Sequence, residues 1–220
     1  MSLRHTLSVA LVLCSSFAVA QMPGGGPGGP GGAPPPPPPP TAGAKLEIAE
    51  GSSASYRVTE QLAGIDFPND AVGTTTGVKG SIQLLPDGSI APGSKLVVDL
   101  KALTSDQNMR DGYIRSRTLQ TDQFPEAVFV PKQVTGVPKM VPSAGQVGVQ
   151  LSGDLTIHGV TKPVTFKGIA TFDARSSMVS GRALTSFSFS DFGLTKPTLA
   201  RLMSVGDTIT LELVYKFKRS

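Results

Sequence analysis

From Val147 to Phe166 the chain reads VGVQLSGDLTIHGVTKPVTF, a stretch that few folds accept. Val147, Val149, Leu151, Leu155 and Ile157 fall on one side of a period-two alternation with Gly153 in register. Gln146, Gln150, Ser152, Asp154 and Thr156 fall on the other. A helix would space its apolar residues three or four apart, so the pattern specifies a strand with one dry face. The segment from His158 to Pro163 interrupts the alternation with a Gly and a Pro, after which Val164, Phe166, Gly168, Ala170 and Phe172 resume it. The two halves predict a long antiparallel hairpin, wet on one side only. Its dry face must be buried by a second sheet or by closure of the sheet on itself.

The rest of the chain repeats the device. Tyr56 and Val58 alternate with Ser55, Arg57 and Thr59 in a first strand. Val72 to Leu85 predicts one long strand that Gly73, Gly77 and Gly80 allow to bend, followed by a turn at Pro86-Asp87-Gly88. Further strands are predicted at Lys95 to Leu100, Ala127 to Gln133, Met178 to Ser190 and Thr208 to Lys218. Asp106 to Leu119 favours a helical excursion, and Lys196 to Met203 a helical turn behind Pro197. A Gly/Pro-rich loop spans Gly136 to Gly145. About eight strands with even spacing predict an all-β antiparallel barrel or sandwich.

The amino terminus is of a different kind. Arg4 and His5, an apolar run from Leu7 to Leu13 and the sequence Ala18-Val19-Ala20 predict a signal peptide over residues 1–20, cleaved before Gln21. Residues 21–43 are almost wholly Gly and Pro, ending in an unbroken proline run from Pro34 to Pro40. That composition has nothing to bury and predicts a solvated spacer. The folded domain is expected over 44–220. Cys14 is the only cysteine and would leave with the leader, so the exported chain is expected to have no disulfide and no thiolate site. Without Arg4, 19 basic residues face 16 acidic ones, a net charge of +3 that does not argue for nucleic acid.

Candidate chemistry is sparse. His158 is the only histidine beyond the leader, which excludes a multi-histidine metal site within one chain. Its plainer role is to fix the hairpin turn. Arg110-Asp111 with Arg115 and Arg117 is the one charge cluster that could read an anion, and a solvated helix face with internal ion pairs is the plainer account of it. Asp191-Phe192-Gly193 matches a kinase metal motif but lacks the Gly-rich loop, strand lysine and catalytic loop that would give it meaning.

Four segments taken together resemble the YceI-like family: Arg110-Asp111-Gly112-Tyr113-Ile114 with Thr121-Asp122-Gln123-Phe124-Pro125, the run GDLTIHGVTK from Gly153 to Lys162, Ser190-Asp191-Phe192-Gly193-Leu194, and Val205-Gly206-Asp207. The resemblance covers about Ser53 to Phe217. It departs from the family pattern at Thr118-Leu119-Gln120-Thr121-Asp122-Gln123-Phe124, where many members carry a Phe-Phe-Asp-Val-like run. The resemblance implies a lipocalin-like barrel in a periplasmic or secreted protein, binding a long-chain isoprenoid or other amphiphilic lipid inside. A barrel of about eight strands either fills its interior with side chains or holds one small ligand.

Three functions follow. The first is non-catalytic binding, transport or sequestration of such a lipid. The second is a structural or partner-binding barrel without ligand. The third is an enzyme acting on the lipid through His158, Asp154 or Asp191. Under the first, the ligand is expected to meet Leu155, Ile157, Phe166, Phe187, Phe189 and Leu211 on the dry faces, with Arg110 and His158 as the polar candidates. Phe187 and Phe189 should face inward, and Thr156, Thr165, Ser188 and Glu212 should face water. No metal, cofactor, nucleic acid or membrane span after leader removal is expected, and a homodimer remains compatible with the sequence.

Overall fold

The computed structural model describes residues 43–64, 66–85, 89–137, 144–173, 175–198, 200 and 202–220. The expected leader, the tract from Met22 to Pro40, the turn at Pro86-Asp87-Gly88 and most of the Gly136 to Gly145 loop lie outside the described residues.

Twelve strands form one antiparallel sheet. They are β1 (Lys45–Ile48), β2 (Ser53–Leu62), β3 (Asn69–Thr75), β4 (Val78–Gln83), β5 (Lys95–Asp99), β6 (Thr104–Ser105), β7 (Glu126–Thr135), β8 (Gly145–Ile157), β9 (Val160–Phe172), β10 (Met178–Ser188), β11 (Leu202–Val205) and β12 (Thr208–Arg219). The sheet closes into an eight-stranded barrel because short consecutive strands share positions in the wall. One edge of β12 pairs with β10, and the other pairs first with β2, from Thr210↔Arg57 to Val214↔Ser53, and then with β1 at Phe217↔Ile48. Ser52 spans the break between β1 and β2. Its buried hydroxyl donates to the Ala49 carbonyl at 2.8 Å and accepts the Lys216 N–H at 3.0 Å, replacing a missing rung of the ladder.

The single strand expected from Val72 to Leu85 is two strands, β3 and β4. They part at Thr76-Gly77, where Thr75 Oγ1 accepts the Gly77 N–H at 3.0 Å. β3 then lies between β2 and β6, and β4 between β1 and β5, so the pair still fills one position of the wall. β1 adds a strand to those expected.

The β8–β9 hairpin pairs without slippage from Gly145↔Phe172 to Ile157↔Val160. Only His158 and Gly159 turn, at φ 51° and 73°, the left-handed pair that a type I′ hairpin requires. The interruption expected as far as Pro163 is therefore confined to two residues, and Pro163 lies within β9 opposite Asp154. It is tolerated because β9 pairs with β10 only from Lys167↔Leu184 onward, which leaves Pro163 on an open edge. The outer face carries hydroxyl pairs across neighbouring strands, Thr156 with Thr161 at 2.8 Å, Ser152 with Thr165 at 2.9 Å and Ser186 with Thr210 at 3.0 Å.

The excursion expected after Asp106 is α1 (Asn108–Tyr113), running directly into one π-helical turn, Ile114–Thr118. Among the described residues the helical turn expected at Lys196 to Met203 does not form. Residues 194–198 are irregular, and β11 pairs with β2 through Leu202↔Leu62 and Val205↔Glu60. β2 reaches beyond the end of β12, and its remaining edge takes up the passing chain, a tertiary demand that overrides local preference. β10 ends at Ser188, where a 3₁₀ turn, Phe189–Phe192, begins. Asp191 accepts the Ser188 N–H at 2.7 Å, Ser188 Oγ accepts the Asp191 N–H at 3.3 Å, and left-handed Gly193 closes the turn. Asp191-Phe192-Gly193 is thus a capped turn. Among the described residues no helix is long and apolar enough to cross a membrane.

Candidate ligand-binding cavity

The alternation that closes the barrel sends one face of every strand inward, but these side chains do not meet in the middle. They enclose a cavity of about 800 Å³, within the range of ligand-binding pockets. The interior is therefore open at its centre, and the barrel is not filled by its own side chains.

Leu155 and Ile157 of β8, Phe166 of β9, Phe187 of β10, Phe189 of the 3₁₀ turn and Leu211 of β12 all line this cavity. Phe166 meets Phe129 edge to face, with centroids 5.1 Å apart, and Phe187 meets Phe192 in the same manner at 4.5 Å. Glu212, expected to face water, is half buried and held by Arg182 at 2.6 Å. The segment that departs from the family pattern contributes Thr118 and Leu119 to the cavity wall.

Arg110 is the one polar candidate that reaches the cavity, and its surroundings overturn the account of a solvated helix face. It is 8% exposed and projects from α1 to pair with Glu60 of β2, itself 6% exposed, and with Asp106. Burial works against the guanidinium charge, but Glu60 and Asp106 outweigh it and hold the pKa of Arg110 above its ordinary value. Asp111 is buried behind it, accepting the Ser105 N–H at 2.9 Å and the Ser105 hydroxyl at 2.6 Å. Arg115 donates to the Leu103 carbonyl at 2.9 Å. Arg110, Asp111 and Arg115 therefore anchor the helix to the barrel, and of the cluster only Arg117 is exposed as a solvated face would be.

Two hydroxyl-bearing residues also belong to the cavity wall. Tyr56 of β2 lines the cavity, and its buried Oη has no protein hydrogen-bond partner. Burial, opposed by the neighbouring Arg110, pushes its pKa up to about 12, so it stays a phenol and a donor at neutral pH. Thr118, the last residue of the π-helical turn, is 4% exposed, and its Oγ1 is likewise without a partner. Tyr56, Glu60 and Thr118 were not among the sequence candidates. A signal for Glu60 exists in the strand pattern, because it falls in phase with Ala54, Tyr56 and Val58 and places a carboxylate on a dry face.

His158 lies outside the cavity, in the β8–β9 turn, with its ring 4.7 Å from that of Phe124. Replacing it by alanine is expected to lower stability by about 0.5 to 1.5 kcal/mol through the lost aromatic pair and to leave lipid retention unchanged. Thermal melting and lipid analysis of the variant check both. Asp154 pairs with Lys132 at 2.6 Å, and neither it nor Asp191 lines the cavity. The pKa of Asp191 is held below the ordinary carboxyl range by the Ser188 N–H and hydroxyl, as its capping role requires. The three residues considered for acid–base work are thus scattered rather than convergent. Among the described residues no group of three or more His, Cys, Asp or Glu could hold a metal ion.

Comparison with known proteins agrees with this architecture. A UPF0312 protein of Pseudomonas putida is 38% identical over 120 residues, which make up 50% of this chain and 58% of that protein. One from Pseudomonas syringae pv. tomato is 31% identical over 118 residues. The chain spans little more than half the length of these curated relatives. Among solved structures, a polyisoprenoid binding domain from Saccharophagus degradans, implicated in plant cell wall breakdown, superposes with a TM-score of 0.63 at 16% identity, covering 81% of this chain and 99% of that one. BcnA of Burkholderia cenocepacia superposes with a TM-score of 0.55 at 16% identity, covering 75% of this chain and 95% of that one. At such identities these structures share the fold. The family model described as the YceI-like domain matches residues 48–217, most of the chain, and the protein belongs to that family.

Proposed function

We propose that the protein is a non-catalytic binder of a long-chain isoprenoid or similar amphiphilic lipid, which it carries or sequesters inside the barrel outside the cytoplasm. The observation that carries this reading is the cavity of about 800 Å³, walled by Phe, Leu, Ile and Val and bearing only a few polar side chains. Such a space excludes water poorly unless an apolar chain occupies it, and its aromatic walls offer that chain a large contact area. The polyisoprenoid binding of the Saccharophagus degradans domain supports the same ligand class. Export rests on the leader pattern at residues 1–20.

Organic extraction of the native protein followed by mass spectrometry tests the reading. The expected result is one class of long-chain lipid present at about one molecule per barrel, in keeping with a single small-ligand interior. A protein that releases no lipid and takes up none from a mixed lipid extract would move the structural or partner-binding role ahead of lipid binding.

A further inference from the structure

The ladder between β9 and β10 stops before either strand does. The two pair from Phe172↔Val179 to Lys167↔Leu184 and then part. β9 goes on pairing with β8 as far as Val160↔Ile157, and β10 with β12 as far as Ser188↔Thr208, so both strands persist across the gap. Beyond it the chain leaving the 3₁₀ turn comes back against β9, where a Cβ at Gly193 would lie 3.9 Å from Val160 Cγ2. The gap is therefore a window, bounded by two strands, a turn and the resumed ladder.

A cleft occupies this window. Its lining takes Val164 and Phe187 from the inward phase of the two strands and Thr165 and Ser186 from the outward phase, so it runs through the thickness of the wall. Phe187 lines both the cleft and the main cavity. Its half-buried ring stands between the two spaces, held edge to face by Phe192 at 4.5 Å. The edge of the window is unsuited to pairing with another strand. Pro163 has no N–H to donate, and Lys162, opposite Leu155 in the β8–β9 ladder, puts a charge in the inward phase. Both are devices by which sheet edges resist strand addition.

Resting on the lipid-binding reading above, we infer that this window is the port through which the lipid enters and leaves the barrel sideways, with the Phe187 ring as its door. The helical excursion supplies Ile114, Thr118 and Leu119 to the cavity wall, and opening the barrel there would separate the buried Arg110–Glu60 pair. Opening the window breaks one edge-to-face aromatic contact, much the smaller cost.

Stapling the window shut tests this. In a Cys14→Ser background, Thr165→Cys with Ser186→Cys places one thiol on each lip, off the lining of the main cavity. Dithio-bismaleimidoethane, which a reductant cleaves, bridges them. The probe is all-trans-retinol, a fluorescent isoprenoid alcohol, with transfer from and to phosphatidylcholine vesicles followed by stopped-flow fluorescence and affinity by equilibrium titration. Bridging is expected to slow uptake and release alike by about tenfold or more, as a raised barrier does, to leave affinity unchanged, and to be undone by reductant. The same linker between Thr171→Cys and Ser180→Cys, a rung where the ladder is closed, is expected to leave both rates unchanged. Unchanged rates with the window bridged would overturn the inference, as would equal slowing by the two bridges, loss of affinity on bridging, or failure of the linker to span the lips. In those cases retinol binding by the unmodified protein still upholds the lipid-binding reading. If the unmodified protein takes up no retinol, both fail.

Discussion

Arg110→Met is expected to destabilise the barrel by about 3 to 5 kcal/mol, because it strands a buried carboxylate. Glu60 has a side chain only 7% exposed and accepts from Arg110, whereas Asp106, the other partner, is 72% exposed and can turn to water. The double substitution Glu60→Leu with Arg110→Met should recover most of the loss, since two apolar side chains of similar volume replace a pair whose attraction barely offsets its desolvation. Urea denaturation of the single and double variants at neutral pH decides the matter. A single variant within about 1 kcal/mol of the parent at neutral pH, the level of an exposed pair, would show that Glu60 reaches water through the cavity.

What was legible in the sequence follows from how local each signal is. The β8–β9 hairpin could be read from its own residues, since a two-residue turn with Gly159 between alternating strands fixes face and register together. The inward positions of Leu155, Ile157 and Phe166 follow from that register. Pro163 misled the reading of the turn because its tolerance depends on where β10 stops pairing, a fact of the neighbouring strand. The break between β3 and β4 was hidden for a related reason. Glycines at 73, 77 and 80 mark bends, but only the partners on either side show that the chain changes neighbours at Thr76-Gly77.

The polar part of the cavity was less legible. Arg110 emerged because it sits in a recognisable segment, while its partner Glu60 lies 50 residues earlier and joins it only in the closed barrel. Glu60 could have been suspected from its phase with Tyr56 and Val58, since a carboxylate on the dry face of a strand needs a partner from elsewhere in the fold. His158 was prominent as the lone histidine beyond the leader, yet its position at φ 51° belongs to the turn. Rarity of a residue type in a sequence is a weaker guide to a site than a polar residue out of keeping with its strand face.

Phe192→Ala and Phe189→Ala should separate core from ligand wall, although the two residues occupy the same short turn. Phe192 is fully buried at 0% exposure and packs edge to face on Phe187, outside the lining of the main cavity. Its removal leaves a void that surrounding backbone cannot close, at an expected cost of about 3 to 5 kcal/mol. Phe189 is almost as inaccessible, at 4%, but it lines the cavity. Truncating it enlarges a space that already exists, so the stability loss should be smaller, and the lost contact should appear as weaker lipid retention. Thermal melting with extraction of bound lipid from both variants and the parent gives the comparison. The expected pattern is a large drop in melting temperature with retained lipid for Phe192→Ala, and a modest drop with reduced lipid for Phe189→Ala. If Phe189→Ala melts as early as Phe192→Ala and keeps its lipid, then this end of the barrel is packed core, and the ligand must lie toward β8 and β9, against Leu155, Ile157 and Phe166.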